Sequence, residues 1–179
     1  MRDIPLENLV VIDESGAVTN MTRTRGRCLR SDRLVSAVPH GHWKVLTIIA
    51  AMTLGGVQTA VTVDAPCDGE IFRHFICDAL VPTLRPGQVV IMDNLQSHKV
   101  SGIRQAIEAA EARLIYLPPY SPDFSPIEPM WSKVKQKLRS LAARTVETLG
   151  QAVEKALATV TASDCEGYFR HTGYTLHDK

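Results

Sequence analysis

The stretch LPPYSPDFSPIEPMWSKVKQKLR, residues 117–139, limits the fold more than any other part of the chain. Its prolines, at 118, 119, 122, 126 and 129, each fix φ and remove a backbone donor. Such a segment cannot run through the middle of a helix or a sheet. It is a stiff loop with few accessible conformations, able to hold the next element in a set place. That element is a basic, amphipathic helix: at 100° per residue Met130, Trp131, Val134, Leu138 and Leu141 form one apolar stripe. Glu128 stands at the head of that helix, off the stripe, on the flank that also carries Lys135 and Arg139. Lys133 and Lys137 fall on the other flank.

Glu128 has an ordinary explanation. Ser125-Pro-Ile-Glu128 has the S-x-x-E spacing of a capping box, with proline at the first helical position. Pro129 would then be the fourth helical residue, where its missing N–H and its ring disturb the first hydrogen-bonded turn. Regular helix is therefore expected to begin near Glu128 or Pro129, leaving the carboxylate for another purpose.

Upstream, the pattern alternates. Leu9-Val-Val-Ile-Asp13 is a short apolar run followed by Ser-Gly, the pattern of a buried strand stopping at a turn. The arginine-rich residues 22–33 come next as a second short strand and a loop. Trp43–Leu54 and Val57–Val63 are strands joined by a Gly55-Gly56 hairpin. Asp68–Leu84 has helical apolar spacing, Val89–Met92 is a buried strand ending at Asp93-Asn94, Ser101–Ala112 is helical and Arg113–Leu117 is a strand. Beyond the proline loop, helices run to about Ala143 and from Thr145 to about Val160. The order predicts an α/β fold: a mixed five-stranded sheet, antiparallel meander first and parallel strands after, with helices on both faces.

Two of these strands end in an aspartate, Asp13 and Asp93. If they lie side by side and parallel, both carboxylates emerge beyond the carboxyl ends of strands, where ligand sites of open α/β sheets collect. Turn chemistry alone also accounts for a single strand-end aspartate. The rigid loop allows Glu128 to join them, and a loosely hung glutamate would not complete such a site. Three converging carboxylates repel one another unless a cation sits among them, and hard oxygen ligands suit Mg²⁺ or Mn²⁺. Two such ions, about 3.5–4 Å apart, activate an attacking hydroxyl and stabilise a leaving 3′ oxygen. The chemistry implied is metal-assisted phosphoryl transfer on nucleic acid.

Charge agrees with a polyanionic partner. The formal net charge is only +1, but residues 22–33 carry Arg23, Arg25, Arg27, Arg30 and Arg33 against Asp32 alone. Each basic stretch by itself also fits a solvated surface. Arg23, Arg25 and Arg27, with Lys99, Lys135 and Arg139, are the candidate phosphate contacts. Asn94 is a candidate to orient Asp93, with a turn role as the alternative. His98 is a candidate support for the metal site or a DNA contact, with packing or capping as the alternative. His40-Gly-His42 lacks a third ligand for a metal. Trp131 belongs to the apolar stripe. The four cysteines form no CxxC and read as ordinary thiols of a reducing compartment. No apolar run reaches the ~18 residues of a membrane span and no signal peptide is evident, so a cytoplasmic, nucleoid-associated location is expected.

VIDES at 11–15, VIMDNLQSHK at 90–99 and YLPPYSPDFSPIEPMWSKVKQKLR at 116–139 together resemble the three catalytic blocks of a DDE transposase of the mariner-like bacterial insertion-sequence group. The 34 residues between Asp93 and Glu128 match the spacing of that group, and RTRGR at 23–27 and VPHGHWK at 38–44 are similar in style. The resemblance runs from about Leu9 to Tyr174. It implies a ribonuclease H-like fold, Asp13, Asp93 and Glu128 as catalytic metal ligands, Mg²⁺ or Mn²⁺ as cofactor and DNA as substrate. The implied reaction frees a 3′-OH at an element's end and joins it to target DNA, with a homo-oligomer acting on paired ends. Members of the group normally carry helix-turn-helix modules ahead of this domain, and only twelve residues precede Asp13. Residues 1–179 are therefore expected to be a single catalytic domain without that recognition region, served by an upstream helix-turn-helix polypeptide, truncated, or excised. A stand-alone ribonuclease H-like nuclease, and an inactive remnant that binds DNA or transposase as an inhibitor, are the alternatives.

Overall fold

A computed structural model of the chain describes residues 4–119 and 121–174. Tyr120, inside the proline-rich loop, and the two chain ends lie outside the described residues. The strands are β1 (Leu9–Val18), β2 (Val45–Thr53), β3 (Gly56–Val63), β4 (Val89–Met92) and β5 (Arg113–Tyr116). The helices are α1 (Gly69–His74), α2 (Ile103–Ala109), α3 (Ile127–Leu141), α4 (Val146–Leu157) and α5 (Ala162–His171). The sheet order is β3-β2-β1-β4-β5. β1, β2 and β3 pair antiparallel, while β4 and β5 join β1 in parallel.

Helices cover both faces, which is why the central strands are apolar without alternation. Leu9 and Val11 of β1 point to one layer, with Ile127, Met130, Trp131, Val134 and Leu138 of α3, Val153 of α4 and Phe169 of α5. Val10 and Ile12 point to the other, with Phe72 of α1 and Ile103 and Ile107 of α2. The five buried side chains of α3 contribute roughly 1.5–3 kcal/mol each relative to exposure.

β1 is longer than its sequence suggests. No turn forms at Ser15-Gly16, because β2 supplies backbone partners from Asp13↔Ala50 to Val18↔Val45. Asp13 therefore lies inside β1, and the expectation that it terminates the strand is corrected. On the other edge, pairing with β4 stops at Val11↔Ile91, so Asp13 still stands two residues beyond the last parallel pair.

Residues 21–44 hold no strand, contrary to the short strand expected there. Both edges of β1 are already taken by β2 and β4. The excursion is clipped at its base, where the Thr19 N–H donates to Lys44 O and the Lys44 N–H to Thr19 Oγ1, each at 3.0 Å. Arg144, between α3 and α4, donates to the carbonyls of Thr19 and Met21 at 3.0 and 2.9 Å. Those bonds hold the start of the excursion against the end of α3.

The helix expected over 68–84 begins as predicted, with Asp68 capping the Glu70 and Ile71 amides. After α1 it widens into a π-helical stretch, Phe75–Leu80, where Val81 N–H bonds to Ile76 O, and closes in a 3-10 turn containing Pro82. α2 is shorter than expected because Gly102, at φ 94°, turns the chain just before it. α5 is a separate helix, capped where Thr161 accepts from the Asp164 amide. The four cysteines are free thiols.

Leu138 is 2% exposed in the core between α3 and the sheet. Leu138→Ala is expected to lower the unfolding free energy by about 2–5 kcal/mol in urea titration. A decrease below about 0.5 kcal/mol, the usual range of surface changes, would contradict this packing.

Candidate active site

Parallel pairing of β1 with β4 sets Asp13, in β1, beside Asp93, directly after β4, each two residues past the pair Val11↔Ile91. They share the parity of Val11 and Ile91, which face the α3 layer. α3 lies across β1 on that face and brings Glu128 to the same end. The three acids line one cavity of about 480 Å³, together with Asn94, Lys99 and Pro118–Pro119.

The head of α3 explains how Glu128 is free to line it. Pro126 occupies the N-cap position and makes no side-chain cap. Ser125 contributes only its carbonyl, to the Glu128 N–H at 3.3 Å, so the capping-box alternative fails. The helix starts at Ile127, one residue ahead of the expected range, which puts Pro129 third. Amides of the first turn have no intrahelical acceptor, so a proline there forfeits nothing. Glu128 is exposed, with its carboxylate not committed to the backbone.

Asp13 is the electrostatically tense member. Burial, then the neighbouring charges of Glu14 and Glu128, push its carboxyl up to about 7. The Trp131 indole Nε1–H donates to Asp13 Oδ2 at 2.9 Å and partly offsets that. Trp131 is thus core, 3% exposed, and also a carboxylate donor. A buried indole usually finds a partner for its N–H, and that was the available signal for this contact.

Asp93 is held differently. Its Oδ1 accepts the Leu95 N–H at 3.1 Å and lies 2.5 Å from His98 Nδ1, close but off the line of a hydrogen bond. Partial burial opposes the charge of Asp93, but His98 and the Leu95 amide outweigh it and hold the carboxyl below its ordinary value. His98 is fully buried, stacks on Phe72 at 4.0 Å between ring centroids, and sits with Nε2 3.1 Å from Glu14 Oε2. Burial alone would depress the imidazole; the contacts with Asp93 and Glu14 prevail and raise it to about 9. A burial this complete excludes direct DNA contact by His98 in this conformation. Glu14 escaped the sequence reading; its signal was strand alternation, which turns it away from the face of Asp13 and toward that of Phe72.

The acids share a cavity without forming a closed ligand set. Among the described residues no three His, Cys, Asp or Glu side chains are close enough to hold a metal ion. The donor chemistry nevertheless suits a hard divalent cation: three carboxylates, one of them raised by burial and by like charges beside it. Rotation of an exposed side chain such as Glu128 takes picoseconds to nanoseconds.

The basic candidates divide. Lys99 lines the acidic cavity, its ammonium 5.8 Å from the Tyr116 ring centroid. Arg23, Arg25 and Arg139 line a separate groove of about 730 Å³ with Lys133 and Lys137, which puts Arg139 with the cations of the opposite flank. Lys133 is ion-paired with Asp164. Arg27 is exposed and Lys135 half-buried, and neither lines the groove or the acidic cavity.

The family model described as DDE superfamily endonuclease matches residues 8–150. No curated protein matches the chain. Among solved structures, the Mos1 transposase paired-end complex with left transposon end aligns at TM-score 0.73 and 15% identity, over 93% of this chain and 52% of that one. The Mos1 mariner paired end complex with Mn aligns at 0.69 and 16%, over 93% and 52%. The catalytic domain of Mos1 mariner transposase aligns at 0.65 and 14%, over 93% and 76%. The chain thus spans about half the length of the transposase chains in those complexes, and at these identities the likeness is one of fold.

The raised Asp13 has a pH consequence. Its folded-state value, about 7 against an ordinary 3.8, means the folded chain holds this proton more tightly than the unfolded chain does. Without divalent ions, the stability it contributes is fully present below pH 3.8 and is lost as pH rises toward 7. Asp13→Asn is therefore expected to gain stability over the parent progressively from pH 5 to pH 8 in chelator. Denaturant titrations of both chains across that range check it, and a pH-independent difference would refute it.

Proposed function

Because the chain belongs to the DDE superfamily endonuclease family, we propose that it is the metal-dependent catalytic domain of a DNA transposase. The proposed reaction is hydrolysis of a phosphodiester at an element's end, then attack of the freed 3′-OH on target DNA. One observation carries this reading: Asp13, Asp93 and Glu128, far apart in sequence, line a single cavity beyond the parallel strand ends. The Mos1 structures with Mn and with Mg, which share this ribonuclease H-like fold, support divalent-ion use.

Asp13, Asp93 and Glu128 would hold Mg²⁺ or Mn²⁺, two ions in this reading. Ions held there would supply Lewis-acid activation of the attacking hydroxyl and charge stabilisation of the leaving 3′ oxygen. The chain's own contribution is placement. β1 and β4 hold two carboxylates on fixed backbone, the Trp131 N–H orients one of them, and the proline-rich loop positions the helix that carries the third. Lys99, in the same cavity, is placed to meet a phosphate oxygen.

The DNA backbone is assigned to the groove between the arginine-rich excursion and α3. Arg23, Arg25, Lys137 and Arg139 line it, with Ser132, Ser140 and Thr159 supplying hydroxyls. From Glu128 to Arg139 is eleven residues of α3, roughly 16 Å at 1.5 Å per residue. Phosphates in the groove would therefore lie several nucleotides from the scissile one. A homo-oligomer on paired ends, and helix-turn-helix modules supplied by another polypeptide or a longer form of this chain, complete the proposal. No helix among the described residues is long and apolar enough to cross a membrane. In the proposed role the protein works in the cytoplasm, beside the nucleoid.

A strand-transfer assay with pre-cleaved ends and Mn²⁺ tests the function. Cleavage with joining supports the transposase, cleavage alone the stand-alone nuclease, and DNA binding with neither the inhibitory remnant. Asp93→Asn and Glu128→Gln are each expected to abolish cleavage while circular dichroism stays that of the parent chain. A variant of either that cut DNA at the parent rate would overturn the metal-site assignment.

Charge reversal at Arg25 and at Lys137 is expected to weaken binding to any DNA sequence. It should also reduce the slope of log affinity against log salt by about one for each phosphate no longer neutralised. Fluorescence anisotropy at several salt concentrations reads both quantities; an unchanged slope would remove the groove from the interface.

A further inference from the structure

His98 is the buried polar group that the proposed chemistry leaves unexplained. Four contacts immobilise it. Its ring stacks on Phe72 of α1, with centroids 4.0 Å apart and planes 23° apart. Its Nε2 is 3.1 Å from Glu14 Oε2, and its Nδ1 is 2.5 Å from Asp93 Oδ1. Its carbonyl accepts the Tyr116 hydroxyl at 3.0 Å. The residue is 0% exposed, so it meets neither solvent nor DNA.

These contacts span three strands of the sheet. Glu14 belongs to β1, Asp93 comes directly after β4, and Tyr116 ends β5. Asp93 Oδ1 faces two groups at once, the Leu95 amide and His98. Among the described residues, that leaves Oδ2 as the oxygen without a hydrogen-bond partner. Asp93 stands just past a four-residue strand and its side chain is 41% exposed, so nothing else on its own segment fixes the rotamer.

We propose that His98 is a positioning residue, clamped by Glu14 and Phe72, that locks the Asp93 carboxylate so that Oδ2 is the oxygen offered to a divalent ion. The inference rests on the metal-site reading above and deepens it. Supporting groups around a metal ligand fix its orientation, and their removal typically costs 10–100-fold in metal affinity. Glu14 is the clamp's anchor: without it the imidazole has, besides Asp93 itself, only ring stacking on Phe72 to hold its plane.

The test is Mn²⁺ affinity of the full chain, measured by titration calorimetry in the absence of DNA, for four variants. Asp93→Asn tests the parent reading. His98→Asn places an amide nitrogen near the position of Nδ1 and keeps the contact to Asp93. His98→Gln reaches toward the Nε2 position and keeps the contact to Glu14 instead. Both lack the aromatic stack, so melting temperatures report the packing defect they share. Glu14→Gln leaves His98 in place with a weaker anchor.

The expected result is that Asp93→Asn and His98→Gln each weaken Mn²⁺ binding tenfold or more. His98→Asn should stay within about threefold of the parent chain, and Glu14→Gln should fall between. Equal weakening of Mn²⁺ binding in His98→Asn and His98→Gln, or none in either, while Asp93→Asn remains defective, would overturn the clamp and leave the metal site standing. Unchanged affinity in Asp93→Asn would overturn the metal site itself.

Discussion

The parallel pairing of β1 with β4 is the interaction on which the rest depends. It joins residues about eighty positions apart and sets Asp13 level with Asp93. A slip of one residue would turn one carboxylate to the opposite helix layer. The register is held from both sides: apolar side chains of β1 and β4 alternate between two separate cores, and neither layer tolerates the other's set. Core packing in this protein is therefore also what aligns two acidic groups.

Alignment has an electrostatic cost, met differently at the two aspartates. Asp13 sits among like charges in a mostly buried position, and its neutral donors, the Glu14 backbone and the Trp131 indole, do not bring its carboxyl back to normal. Asp93 has a buried imidazole against it and stays readily ionised. The site is thus asymmetric, with one carboxylate satisfied by the protein and one in want of a cation. In the proposed function a hard divalent ion would answer that want.

α3 links this chemistry to the basic surface. Its apolar stripe packs on the sheet, its first turn presents Glu128, and its far half lines the groove with Arg23 and Arg25. Arg144 ties the carbonyls of Thr19 and Met21, at the start of the arginine-rich excursion, to the end of the same helix. One helix thereby carries both Glu128 of the acidic cavity and Lys137 and Arg139 of the cationic groove.

Much of this was legible in the sequence. Five strands, their order of types and the helix-covered faces come from the length and periodicity of apolar runs, which are local quantities. The proline-rich loop and its helix were legible because proline's restrictions are local too. Sequence could not supply anything decided by a partner strand or a packed neighbour. β1 runs past Asp13 because β2 pairs with it there, and the arginine-rich residues form no strand because both edges of β1 are taken. Glu14, His98 and Trp131 acquired roles only when residues from α1, β1, β4 and α3 met in space. The chain by itself determined which residue types occur and how they are phased along each element. Tertiary structure decided which carboxylate is buried, which is clamped and which is free, because those properties are set by desolvation and by the charge of neighbours remote in sequence.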